Sequence, residues 1–155
     1  MVTPLHLASW EGHTDAIKLL INHGADINAK DRWDSIPLHH ASCYGHTDAI
    51  SLLIDHGADV NAKNNWNDIP LHYAARYGHT DAIQLLLEYG ANVNAENKWN
   101  GIPLHYATQY DHIDAMKLLL DHGVDINAKD TDGKTPLHYA SNDDTIALLK
   151  EHGAI

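Results

Sequence analysis

Residues 69–91 read IPLHYAARYGHTDAIQLLLEYGA, and this stretch decides the fold. Pro70 stands where a helix begins, at a first-turn position whose missing N–H costs nothing. A short helix through Leu71, His72, Ala74 and Ala75 then breaks at Gly78. After the break, Thr80 is expected to cap a second helix and Asp81 to sit at the positive end of its dipole. Apolar residues follow on one stripe, and Gly90 occupies the place of a left-handed C-cap. The expected unit is two short helices closed by a turn.

The unit returns every 33 residues: Thr3-Pro4-Leu5-His6, Ile36-Pro37-Leu38-His39, Ile69-Pro70-Leu71-His72, Ile102-Pro103-Leu104-His105 and Thr135-Pro136-Leu137-His138. Gly24, Gly57, Gly90 and Gly123 keep the same step, each followed by Ala-Asp-Ile-Asn-Ala or a near variant. In the first unit Ala16, Ile17, Leu19 and Leu20 form the apolar stripe of the second helix. The segment after each Gly is rich in turn formers and reads as an extended turn into the next unit. One such unit cannot bury its apolar face alone, whereas stacked neighbours can. The fold class expected is therefore all-α, a solenoid in a single domain over 1–155, with repeats at 1–30, 31–63, 64–96, 97–129 and 130–155. At roughly 10 Å per helix layer it forms a slightly curved rod on the order of 45–50 Å long.

Two departures from strict repetition stand out. From Ser141 to Ile146 there are five steps where Ser9 to Ile17 takes eight, so the last pair of helices must be joined differently. Its Asn142, Asp143, Asp144, Lys150 and Glu151 suit a polar C-terminal cap, whereas Met1 to Ile21 shows no such capping. Secondly, Ile36, Ile69 and Ile102 replace Thr, and in those units alone a Trp lies three residues earlier, at Trp33, Trp66 and Trp99. Indole and Ile are expected to pack together at each turn, with Asp34, Asn67 and Asn100 taking the left-handed backbone that Gly133 takes in the last unit.

The Thr/Ile-Pro-Leu-His tetrad, the Gly-His pair, the Leu-Leu-Leu-x-x-Gly-Ala-Asp-Ile-Asn-Ala run and the 33-residue step resemble the ankyrin repeat over residues 3 to 155. That resemblance implies an L-shaped solenoid whose hairpin tips and first helices form a concave face that binds other proteins. It also implies that the repeats are not catalytic.

Fourteen histidines invite a metal or proton-relay reading. Thirteen fall into repeat columns: the tetrad; His13, His46, His79 and His112 after the break; and His23, His56, His122 and His152 before the C-cap Gly. His40 alone is out of phase. The tetrad column resembles the family's structural histidine, which bonds backbone groups of adjoining turns, and the third suits a helix C-terminus. Rings of one column lie a whole repeat apart, too far to share an ion at ~2.1 Å, so no metal site is expected. Protonating all fourteen would change the formal charge from −11 to +3, so binding to a basic partner should weaken between pH 7.5 and 5.5.

Other chemistry is thinly represented. Asp15, Asp48, Asp81, Asp114 and Asp144 recur with the repeat and suit helix starts better than acid–base work. Cys43 has His39, His40 and His46 nearby, but its equivalents Trp10, Arg76 and Gln109 mark a variable surface column. Asp130-Thr131-Asp132-Gly133 is like the start of a calcium loop, but Ser141 stands where the closing acid belongs. No catalytic residue and no cofactor is expected. Ten Lys and Arg against 21 Asp and Glu argue against nucleic acid, which needs clustered cations. A single cysteine suits a reducing interior such as the cytoplasm. No apolar run approaches the ~20 residues of a membrane span, and the N-terminus lacks the layout of a signal peptide.

Positions that vary while the framework stays fixed are the better guide to function. Facing the groove that the resemblance implies, these include Arg32, Asp68 and Lys98 at the hairpins and Trp10, Tyr44, Arg76, Tyr77, Gln109 and Tyr110 at the first-helix ends, and the column Trp33, Trp66 and Trp99 is aligned with them. Aromatic anchors of this kind dominate interface energetics, with the cations adding specificity. A competing reading has the Trp column only packing the hairpins. The expectation is a monomeric, non-enzymatic scaffold for a basic protein or peptide. The alternative is a structural or self-associating unit, or the ankyrin part of a larger protein.

Overall fold

A computed structural model describes all 155 residues as ten helices without strands. They pair unit by unit: α1 (Pro4–Glu11) with α2 (Thr14–Asn22), α3 (Pro37–Cys43) with α4 (Thr47–Asp55), and α5 (Pro70–Arg76) with α6 (Thr80–Glu88). The series continues with α7 (Pro103–Gln109) and α8 (Ile113–Asp121), and ends with α9 (Pro136–Tyr139) and α10 (Asp143–Glu151). The first helices stack on one another in one layer, from α1 to α9, and α2, α4, α6 and α8 stack in a second.

Proline opens all five first helices, as its fixed φ favours. The second helices begin differently from expectation. Thr14, Thr47 and Thr80 are their first residues, and the caps are His13, His46 and His79, with no side-chain capping bond. The first-turn Asp is in place each time. Gly24, Gly57, Gly90 and Gly123 are left-handed, with φ between 76° and 97°, and stop each second helix.

One core of 28 buried residues runs from Leu5 to Leu149. The three middle units contribute the same positions, such as Leu38, Ala41, Ile50 and Leu53 of the second, all fully buried. The end units depart from this, with Leu20 of the first and Leu137 and Ala140 of the last only half-buried. Leu19, expected in the buried stripe, is 60% exposed, and Leu7 is 55% exposed.

Side-chain ties hold successive units in register. Asn28 donates from Nδ2 to the Gly57 carbonyl at 3.0 Å and accepts from the Asp59 N–H at 2.9 Å. Asn61, Asn94 and Asn127 repeat the bridge. No helix is long and apolar enough to cross a membrane.

Candidate functional site

The hairpins are built around one residue each. The side-chain oxygens of Asp31, Asn64 and Asn97 accept from the N–H groups two and four residues on, at 2.8–3.0 Å. This closes the turn that presents Trp33, Trp66 and Trp99. Asp34, Asn67 and Asn100 take φ of 54–60°, as their short polar side chains allow. Successive hairpins are tied by N–H groups of Asn65, Lys98 and Thr131 donating to the carbonyls of Trp33, Trp66 and Trp99 at 2.8–2.9 Å.

The tetrad histidines lock hairpin to helix. His39 Nδ1 accepts from the Ile36 N–H at 3.1 Å, and Nε2 donates to the Asp68 carbonyl of the next hairpin at 3.0 Å. His6, His72 and His105 do the same. Burial disfavours the charged ring and pushes His39 down to about 4, and it lowers His6, His72 and His105 as well. The middle column is structural too. His46, His79 and His112 donate from Nε2 to the carbonyls of Trp10, Cys43 and Arg76, one unit back, at 2.9–3.0 Å.

His40 stands where later units have Tyr73, Tyr106 and Tyr139. It does their job, because its Nε2 lies 3.0 Å from Asp31 Oδ2, just as Tyr73 and Tyr106 bond Asn64 and Asn97 and Tyr139 bonds Asp130. Burial raises the Asp31 carboxyl, but hydrogen bonds from the Trp33 N–H, His40 and the Ser35 N–H outweigh it and hold the group below the usual range. The ligand atoms of His6, Asp31 and His40 lie within 4.8 Å of one another, so the out-of-phase His40 does converge with a tetrad histidine. Their chemistry does not suit an ion. Both His6 nitrogens are bonded to backbone, and Asp31 already serves two N–H groups and His40.

His40 also begins a stack of rings. Trp10 lies parallel to it at 5.6 Å, Tyr44 follows Trp10 at 5.5 Å, and His46 follows Tyr44 at 6.2 Å. Together with Trp33, Trp66 and Tyr73, the first three of these rings line a cleft of about 230 Å³. A second cleft, of about 390 Å³, lies among Arg76, Tyr77, Tyr110 and His112.

Of the expected site residues, Trp33, Trp66 and Tyr44 meet in the first cleft, and Arg76, Tyr77 and Tyr110 meet in the second. Trp99, Lys98 and Gln109 are exposed and line neither. Ile36, Ile69 and Ile102 are almost wholly buried, while the Trp side chains stay 36–51% exposed. The Arg32 guanidinium lies 4.2 Å above the Trp33 ring, and that of Arg76 lies 4.7 Å above Tyr106. Asp68 is 8% exposed, and its carboxylate accepts from Asn97 Nδ2 at 2.8 Å, so it ties two hairpins together inside the stack. Cys43 is half-buried at the first cleft, and burial pushes its thiol up. His40 was outside the expected set, and Trp10 was expected only as one of the variable first-helix ends. His40's break from the histidine periodicity is the signal that marks this corner.

A family model described as ankyrin repeats, in three copies, matches residues 5–97 and 90–155. Among curated proteins, 31 residues are 58% identical to serine/threonine-protein kinase VIK of Arabidopsis thaliana, and 28 residues are 64% identical to delta-latroinsectotoxin-Lt1a of Latrodectus tredecimguttatus. These alignments cover 20% and 18% of this chain but 7% and 2% of those longer proteins, about one repeat in each case.

Proposed function

The chain belongs to the ankyrin-repeat family, whose members generally mediate protein–protein interaction, and from that premise we propose that it is a non-catalytic, monomeric scaffold recognising a basic protein or peptide. The contact surface is the side where hairpins and first-helix ends meet. The observation that carries this reading is the convergence of Trp33 and Trp66 from two hairpins with Trp10 of α1 and Tyr44 at the C-terminal cap of α3 on one cleft. Half-exposed aromatic rings in a concave site are the kind of anchor that dominates binding energy. The net charge of −11, with Lys117–Asp114 as the one pairing of a lysine or arginine with a carboxylate, leaves most carboxylates free to attract cations.

A pull-down comparing wild type with the Trp66→Ala/Tyr77→Ala double variant tests the reading. Partners held by the wild type should be lost from the variant while its helical circular dichroism is unchanged. Equal capture by both would move the site elsewhere. A second reading, stacking of another repeat on the first unit, draws on the exposed Leu7 and Leu19.

A further inference from the structure

We propose that the second cleft binds the carboxylate of an acidic side chain presented by the protein partner, with Arg76 as its anchor; this rests on the protein-recognition reading and names one residue class that it selects. The chain has two arginines, Arg32 and Arg76, and neither is ion-paired. Arg32 is exposed, lies over Trp33 and lines neither cleft. Arg76 is held in place. Its guanidinium rests 4.7 Å above the Tyr106 ring, whose hydroxyl oxygen accepts from Asn97 Nδ2 at 2.6 Å, and its Nε is buried without a hydrogen-bond partner. His112 of the next unit donates to the Arg76 carbonyl at 3.0 Å and fixes the end of α5. A planar guanidinium oriented by stacking loses little freedom when it binds.

The surroundings decide the sign of the ligand and its direction of approach. The cleft of about 390 Å³ is lined by Arg76, Tyr77, Tyr110 and His112 and holds no carboxylate. Asp111 follows Tyr110 in the chain, but its carboxylate is engaged by Ser141 and Thr145. On the other flank of the guanidinium Asp68 accepts from Asn97 Nδ2 and does not pair with Arg76, and the gap among Asp68, His72, Tyr73 and Tyr106 has no room for a water. A ligand therefore reaches Arg76 from the cleft side. Tyr77 leans on His79 and Tyr110 on His112, so what the cleft offers is the guanidinium edge rather than a ring face. Donors left without an acceptor cost free energy, and a carboxylate is the acceptor whose two oxygens match the guanidinium fork. One guanidinium balances one charge, so in a protein of −11 a carboxylate suits it better than a phosphate of nearly two charges. The overall charge steers a basic partner from a distance, and Arg76 reads an acidic residue within it at contact.

The test follows the arginine Nε–H resonances of the isotope-labelled 155-residue chain by NMR, in which Arg32 is the internal control for Arg76. The probe is the peptide acetyl-Gly-Ser-Glu-Ser-Gly-amide, whose one charge is the glutamate carboxylate. It should move the Arg76 resonance saturably, leave that of Arg32 in place, and bind about tenfold tighter than the same peptide with glutamine. Arg76→Gln installs the residue that the next unit carries at Gln109, so its helical circular dichroism should be unchanged while the tenfold preference, followed at the Tyr77 and Tyr110 ring signals, is lost. Equal binding of the glutamine peptide, no binding of either, equal shifts at both arginines, or a preference that survives Arg76→Gln would overturn the proposal. Tighter binding of a phosphoserine peptide, or of a glutamine peptide with a free C-terminal carboxylate, would overturn the assignment to an acidic side chain. Should partner capture still depend on Trp66 and Tyr77 after such a failure, the scaffold reading stands and only this anchor falls.

Discussion

At Gly45 two constraints meet in one residue. Its φ is 69°, and a Cβ there would lie 2.7 Å from ring atoms of His79, which reaches back over the glycine to the Cys43 carbonyl. Gly12 and Gly78 stand in the same relation to His46 and His112. Gly57 has an equally left-handed φ of 97° but open space around it. Gly57→Ala should therefore cost only the left-handed backbone, about 1 kcal/mol. Gly45→Ala should cost about 2 kcal/mol or more, because the His79 ring must move and its hydrogen bond is lost. Urea midpoints of the two variants check this, and equal losses would refute the role given to His79. Gly45 was legible in the sequence as a helix break. Its second role was not, because the ring that covers it lies 34 residues away and the histidine reads as an ordinary polar residue after a turn.

Among the elements, the last helix pair solves the problem set by its missing residues. Asp111 occupies the place of Gly12, Gly45 and Gly78, with φ 55°. No histidine of the next unit comes over it. Instead its carboxylate accepts from Ser141 Oγ at 2.7 Å and Thr145 Oγ1 at 2.8 Å, and these bonds hold the group below the usual carboxylate range. Asn142 caps α10 by accepting from the Thr145 N–H at 2.8 Å. Asp111→Ala should let α9 and α10 open locally while the other units stay closed, since units couple mainly to their neighbours. Hydrogen exchange should show faster labelling confined to residues 136–151, and uniform acceleration along the chain would contradict this. The five-step join was visible in the sequence. The aspartate lock was not, because its partners lie 30 and 34 residues away.

For the whole molecule, the four depressed tetrad histidines revise the expected response to pH. Fourteen histidines less these four leaves ten, so protonating all the others would take the formal charge from −11 only to −1. Histidine protonation alone therefore does not turn the chain basic, and through it attraction to a basic partner weakens without reversing. Stability responds more strongly. A free histidine takes its proton near pH 6.5, whereas folded His39 resists until about 4, so the unfolded chain binds the proton first. Stability is therefore full above about pH 6.5 and falls as the pH drops toward 4, by up to about 1.4 kcal/mol per pH unit for each such ring. Urea midpoints should be clearly lower at pH 5.0 than at 7.5, and His39→Gln should flatten part of that slope. An unchanged wild-type midpoint would be inconsistent with neutral buried rings.

The sequence by itself determined the period, the helix pairs and the places of Pro70, Gly78 and Gly90, because these are local requirements repeated every 33 residues. It also separated framework from variable positions. Only the tertiary structure decided which variable residues meet. Trp10, His40, Tyr44 and Trp66 come from three units and share one cleft, while Asp68, just as variable, is drawn inside by Asn97. The physical reason is that folding demands the framework of every unit alike, whereas a surface site depends on which side chains stacking brings together.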